Sequence, residues 1–112
     1  MTAARSAVTT HVLDVALGRP AAGVPVRLER PDGSTVADGR TDADGRIADL
    51  GPERLEAGTY RLRFDTAAYY EVSGQRGFYP EVTVAFWLAD PGEHHHVPLL
   101  LSPFSFSTYR GS

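Results

Sequence analysis

The chain of 112 residues contains no cysteine and no lysine. Without cysteine there is neither a disulfide nor a thiolate metal site, which fits a reducing compartment. All 11 basic residues are arginines, spread along the chain rather than clustered, and the net charge is -3. No stripe for a phosphate backbone follows from that distribution, so nucleic acid is not an expected partner. No apolar run is long enough to span a bilayer, and residues 1–8 carry no apolar stretch of signal-peptide length. The expectation is a soluble, cytoplasmic protein with no membrane partner.

What is present is turn chemistry and alternation. Glycine (11) and proline (8) are frequent but dispersed, so they punctuate strands instead of forming a low-complexity linker. One domain over residues 1–112 is expected, with residues 1–7 as a loose N-terminal segment. Residues 8–17 and 24–30 read as strands joined by a turn at 18–23, and Pro25 suggests a sheet edge. Pro31-Asp32-Gly33 reads as a tight turn before a strand at 35–40, and a polar loop at 41–46 leads into 47–50. Residues 60–64 place aromatic and aliphatic side chains on one face and arginines on the other. The stretch 65–72 is the one helix candidate, with Asp65 or Thr66 as N-cap and Gly74 past its end. Val82, Val84, Phe86 and Leu88 alternate against Glu81, Thr83, Ala85 and Trp87, and a last long strand covers 94–102. Seven to eight short strands with one short helix predict an all-β, antiparallel β-sandwich. Trp87 and Thr83 point outward. Together with Leu99 and Leu101, opposite Leu100, they leave apolar surface beyond one core, which predicts an oligomer built on the last two strands.

Few residues suit chemistry. His11 stands in an otherwise apolar strand, where a buried ring needs a partner. His94 and His96 share a strand face and His95 takes the other. Two such histidines without a carboxylate or thiolate at a defined position make a poor zinc signature, so no metal is expected. Asp42-Ala43-Asp44-Gly45 has calcium-like acidic spacing but lacks the further oxygen ligands of a calcium loop, and Arg46 follows it. The end of the chain, Tyr109-Arg110-Gly111-Ser112, comes behind Phe104 and Phe106 and is too aromatic for a solvated tail, so it is expected to dock.

Gly23-Val24-Pro25-Val26, residues 41–46 and Ala57-Gly58-Thr59-Tyr60 resemble prealbumin-like and carboxypeptidase-regulatory sandwich modules, which speaks to fold alone. The closing run 94–112, with Thr10-His11-Val12-Leu13-Asp14, Phe64-Asp65-Thr66-Ala67-Ala68-Tyr69 and Phe78-Tyr79-Pro80-Glu81-Val82, resembles the transthyretin-related 5-hydroxyisourate hydrolases from about residue 10 to the end. That resemblance implies a transthyretin-like sandwich and a homotetramer, a dimer of dimers with active sites in the channel where the dimers meet. It implies opening of a cyclic amide of 5-hydroxyisourate by water, without metal or cofactor, to 2-oxo-4-hydroxy-4-carboxy-5-ureidoimidazoline in urate breakdown. The alternative within the family is a non-catalytic small-molecule carrier of the transthyretin type. The hydrolases are marked by a first-strand histidine, an arginine after the acidic loop, a histidine before Val-Pro, and a terminal Arg-Gly-Ser. Those marks stand here as His11, Arg46, His96 and Arg110-Gly111-Ser112, so hydrolase is preferred.

The resemblance thus implies His11, Arg46, His96 and Ser112 as catalytic residues. Substrate contact falls to His11, Arg46, Tyr109, Arg110, Gly111 and Ser112. Amide hydrolysis needs a base for water and a positive or hydrogen-bonding group for the oxyanion. His11 or His96 fits the base, and arginine stays protonated and cannot. The favoured reading has His11 polarise water with Ser112 beside it while Arg46 and His96 hold the carbonyls. A terminal carboxylate on Ser112 is a second acceptor for His11 or Arg46.

Overall fold

Period-2 alternation of apolar residues gives this chain two sheets with one face of each turned inward. The computed structural model describes residues 5–112. Among them the strands are β1 (Val8–Asp14), β2 (Arg19–Pro20), β3 (Pro25–Glu29), β4 (Thr35–Arg40), β5 (Arg46–Ile47), β6 (Gly58–Phe64), β7 (Val82–Leu88), β8 (His95–Ser102) and β9 (Ser105–Thr108), with helix α1 (Thr66–Ser73) between β6 and β7. One sheet runs β2-β1-β8-β9 with β5 also on β1, and the other runs β4-β3-β6-β7. Val8 and Val12 of β1 and Val97, Leu99 and Leu101 of β8 meet Val26, Leu28, Leu62, Phe64, Val82 and Leu88 in one core. Among the described residues no helix is long and apolar enough to cross a membrane.

The sandwich and its single short helix are as expected, and the helix ends explain themselves. The Asp65 carboxylate accepts from the Ala68 N–H, and Gly74, left-handed at φ 70°, donates its N–H to the Tyr70 carbonyl, so both ends of the helix are capped. Every ladder is antiparallel except β1–β8, which is parallel over Val8↔His95 to Asp14↔Leu101. A parallel pair needs a long crossover. Here the whole second sheet supplies it.

Three local expectations are corrected. Residues 1–4 of the supposed loose segment lie outside the described residues, but Ser6 and Ala7 are buried. The Ser6 hydroxyl donates to the Val8 carbonyl at 2.6 Å, and the Ala7 carbonyl accepts from the His95 N–H at 2.9 Å. Pro25 does not mark an edge, because β3 is paired on both sides, with β4 and β6. As the first residue of its strand it gives up an N–H at the ladder's end, where the loss is tolerated. Leu99 and Leu101 add nothing to the outer surface, since both sit in the core. Trp87 does point outward, 82% exposed, and Phe104, Phe106 and Tyr109 are among the other exposed apolar residues. Residues 105–108, in which Ser and Phe alternate, add a further strand, β9, antiparallel to β8.

Candidate active site

Strand β1 turns Val8, Thr10 and Val12 into the core, so Thr9 and His11 point to the outer face of their sheet. The parallel register sets Thr9 beside His96 of β8, and the antiparallel register of β5 sets Arg46 beside His11. Three strands thus deliver the two histidines and the arginine to one patch. His95, pointing inward, is 4% exposed. One of its ring nitrogens, Nδ1, lies 2.9 Å from the Glu93 carbonyl, and the ring packs against Phe86. It is a structural residue.

Arg46 is placed by the acidic loop before it. Asp42 Oδ1 accepts from the backbone N–H groups of Asp44 at 2.8 Å and Arg46 at 3.0 Å, a side-chain turn of the Asx kind. The Arg46 N–H above all holds the Asp42 carboxyl below its ordinary range. The Asp44 N–H and the Arg46 and His11 charges add to this, against a cost of desolvation. Gly45, at φ 76°, offers its carbonyl to the Val12 N–H at 2.7 Å, and a Cβ there would stand 2.3 Å from the Val12 oxygen. Only glycine allows the loop to lie this close to β1. The acidic spacing therefore serves a tight turn that aims Arg46.

His11 Nε2 lies 2.9 Å from the Asp44 carbonyl oxygen. A carbonyl only accepts, so Nε2 carries the proton and a neutral His11 keeps its lone pair on Nδ1. His96 Nδ1 and His94 Nε2 each lie 2.8 Å from the Thr9 hydroxyl. Their rings stack with centroids 6.2 Å apart. Burial, then the Arg46, His94, His11 and Arg5 charges, pushes the His96 pKa down. Burial, then Arg5, His95 and Arg110, does the same for His94. Both rings favour the neutral form.

The chain's last residues return to this patch. Thr108 Oγ1 donates to the Pro98 carbonyl at 2.6 Å, and the Gly111 N–H donates to the His96 carbonyl at 2.9 Å. Arg5, Thr9, Arg46, His94, His96 and Ser112 line a cleft of about 160 Å³. Of the residues expected at the site, Arg46, His96 and Ser112 share this cleft, and His11 adjoins it through its register with Arg46. Gly111 packs its backbone on the His96 ring. Tyr109 and Arg110 border a different, apolar cleft of about 250 Å³ beside Phe86 and Trp87, which His96 also touches. There the Arg110 guanidinium pairs with Glu93 at 2.7 Å.

Sequence reasoning gave no role to Thr9, Asp42 or His94. The signal for Thr9 and His94 was available: each stands two residues before a site histidine, hence on the same strand face. A larger concavity, of about 780 Å³, lies elsewhere, along the β4-β3-β6-β7 sheet. Its Arg27 pairs with Asp38, and its Arg63 with Glu81. None of the expected site residues lines it.

The HIUase/Transthyretin family model matches residues 8–111. A 5-hydroxyisourate hydrolase from Caulobacter vibrioides is 46% identical over 114 residues, covering 96% of this chain and 99% of that protein. Among solved structures, the 5-hydroxyisourate hydrolase of Klebsiella pneumoniae aligns with TM-score 0.87 and 39% identity over 94% of this chain and 97% of that one. Transthyretin from Sparus aurata aligns with TM-score 0.88 and 35% identity over 96% of this chain and 97% of that one. The backbone alone therefore fits a hydrolase and a transthyretin equally well, and the side chains on it must separate them. By sequence match over nearly its whole length and by fold, the chain belongs to the HIUase/Transthyretin family.

Proposed function

We propose that this chain hydrolyses 5-hydroxyisourate in urate degradation, opening a cyclic amide to give 2-oxo-4-hydroxy-4-carboxy-5-ureidoimidazoline, and that His11, Arg46, His96 and Ser112 carry the reaction. The observation behind this reading is the convergence of Arg46, His96 and Ser112 on one cleft with His11 beside Arg46. The chain that carries it is 46% identical to a 5-hydroxyisourate hydrolase. The carrier alternative draws less support, since a carrier needs the cavity but not a base beside a cationic donor.

His11 is the base. Its Nε2–H is committed to the Asp44 carbonyl, so Nδ1 has a lone pair to take a proton from water as the oxygen attacks the ring carbonyl carbon. The Arg46 guanidinium, with its fixed fork of N–H groups, and a ring N–H of His96 receive the negative charge that develops on the carbonyl oxygen. The C–N bond then breaks. The proton held by His11 passes to the departing nitrogen, which becomes part of the ureido group, while the carbonyl carbon becomes the carboxyl group. Water's OH and H are thereby both placed, and no metal or cofactor enters the balance. The Ser112 hydroxyl hydrogen-bonds the water or the substrate. Gly111 holds the tail against His96 at the edge of the substrate cleft, while Tyr109 and Arg110 brace the tail from the neighbouring cleft.

The working form is a cytoplasmic homotetramer with its sites where two dimers meet. Exposed Trp87, Phe104, Phe106 and Tyr109 supply apolar surface for such contacts, which favours association. Sedimentation of the purified chain tests the assembly. For the activity, 5-hydroxyisourate generated freshly by urate oxidation is followed by its ultraviolet absorbance. Wild type accelerates the decay and His96→Ala loses most of the acceleration. Decay no faster than the spontaneous rate with wild type would overturn the hydrolase reading, and saturable binding of a hormone-like ligand without turnover would replace it with the carrier.

A further inference from the structure

Thr9 is buried on β1 with its hydroxyl between two imidazole nitrogens, His96 Nδ1 and His94 Nε2, each at 2.8 Å. A hydroxyl has a single proton to donate. It can therefore donate to only one of these rings and must accept from the other, so the proton positions on the two rings are tied together. In the first arrangement His94 Nε2–H donates to Thr9, Thr9 donates to His96 Nδ1, and the His96 proton sits on Nε2. In the second, every donor and acceptor is reversed and His96 Nε2 is bare. Passing from one to the other takes more than the relay through the hydroxyl: as a proton leaves His94 Nε2 and another reaches His96 Nδ1, solvent must give a proton to His94 Nδ1 and take one from His96 Nε2, or the rings are left with opposite charges.

Resting on the hydrolase reading above, we infer that Thr9 and His94 are positioning residues that fix His96 in its Nε2–H tautomer, as a hydrogen-bond donor complementary to the base His11. One geometric observation favours the first arrangement. Neither His96 Nε2 nor His11 Nδ1 has a hydrogen-bond partner among the described residues, so the tautomers leave one donor and one acceptor free. Because the Asp44 carbonyl already fixes His11 with its lone pair on Nδ1, a second bare nitrogen on His96 would duplicate the base and leave the oxyanion one donor short. The charged and titratable groups facing the pair are Arg5 ahead of β1, His11 on β1, Arg46 on β5, His95 on β8 and Arg110 behind β9. Arg110 is itself paired with Glu93. Burial first, and these cationic neighbours after it, keep His96 neutral, the state in which a tautomer choice exists.

The test reads the tautomer without substrate, so it stands even if the hydrolase reading falls. Nitrogen-15 NMR of the full chain records the His96 ring in wild type, Thr9→Val, Thr9→Ser and His94→Phe. The expected result is protonated Nε2 and bare Nδ1 in wild type and Thr9→Ser, with a mixture of tautomers in Thr9→Val and His94→Phe. On 5-hydroxyisourate, Thr9→Val and His94→Phe lower kcat by about 10-fold or more with little change in KM, and Thr9→Ser restores it. A wild-type His96 protonated on Nδ1 overturns the inference. So does a tautomer that is the same in Thr9→Val and His94→Phe as in wild type, or a kcat that falls equally in Thr9→Val and Thr9→Ser.

Discussion

Gly111 and His96 are in direct contact across a single bridge between the tail and β8: the Gly111 N–H donates to the His96 carbonyl, and a Cβ on residue 111 would lie 2.5 Å from His96 Cδ2. The tail is thereby fitted to the ring, and glycine is required by the closeness of an imidazole rather than by its own backbone angles. Gly111→Ala must rotate His96, which is cheap for the fold and costly for an aligned donor. A misplacement of the order of an ångström in such a site costs about 100-fold in rate. The expected outcome is a fall in kcat/KM of about that size with a nearly unchanged thermal midpoint, checked by the absorbance assay and calorimetry.

Gly45→Ala should act in the opposite proportion. The new methyl meets the Val12 carbonyl oxygen at 2.3 Å, and the residue is held at φ 76°, where an L side chain is strained. The Val12 N–H to Gly45 carbonyl bond is then lost, and with it the seat of Arg46 beside His11. Stability should drop by about 2–3 kcal/mol, and activity should fall further than the unfolded fraction explains. Denaturant unfolding and turnover on the same samples separate the two effects.

Arg46→Lys keeps the charge and discards the planar fork. If the guanidinium receives the developing oxyanion, the lysine variant should lose about 100-fold in kcat with a smaller change in KM. Unfolding should be unchanged, because Arg46 is exposed and the loop is held by its backbone N–H on Asp42. Equal losses in the lysine and alanine variants would confirm geometry over charge. Full activity in lysine would reduce Arg46 to a source of positive potential.

How much of this was readable in the sequence depends on the range of the interactions. The strands β6 and β7 and the helix with its Asp65 and Gly74 caps are written in neighbouring residues, and they fall where alternation and capping put them. Pairing is not local. Nothing near Val8 says that β1 lies parallel to β8, and nothing near Pro25 says that β4 and β6 flank it. The site divides in the same way. Resemblance singled out His11, Arg46, His96 and Ser112, while spacing alone left each as an ordinary polar residue. Thr9 and the Asp44 carbonyl acquire meaning only once register brings them against the imidazoles. Tyr109 and Arg110 were expected beside Ser112, but both line a neighbouring cleft, where Arg110 pairs with Glu93.

The inner end of β1 carries a second polar network, which governs stability rather than chemistry. Asp14, 2% exposed, accepts from the Tyr69 hydroxyl at 2.6 Å, the Gln75 side-chain amide at 2.9 Å and the Leu17 N–H at 2.9 Å. Burial alone would raise its pKa, but the hydrogen bonds from Tyr69, Leu17 and Gln75 together outweigh it, and the net shift is downward. The Tyr69 phenol, by burial first and then by the Asp14 bond and charge, is pushed up to about 12. The folded state therefore prefers the carboxylate more than the unfolded chain does. Stability from Asp14 is fully present above its unfolded pKa, about 3.9, and is lost as pH falls through the lower folded value. Asp14→Asn removes the charge and turns an amide donor toward groups that already donate, so near neutral pH it should cost about 1–3 kcal/mol. As pH falls below about 4, wild type should lose that advantage and the two unfolding free energies should converge. Urea unfolding of both proteins across that range measures the gap directly. A gap that stays constant into acid would mean that Asp14 contributes shape and not charge.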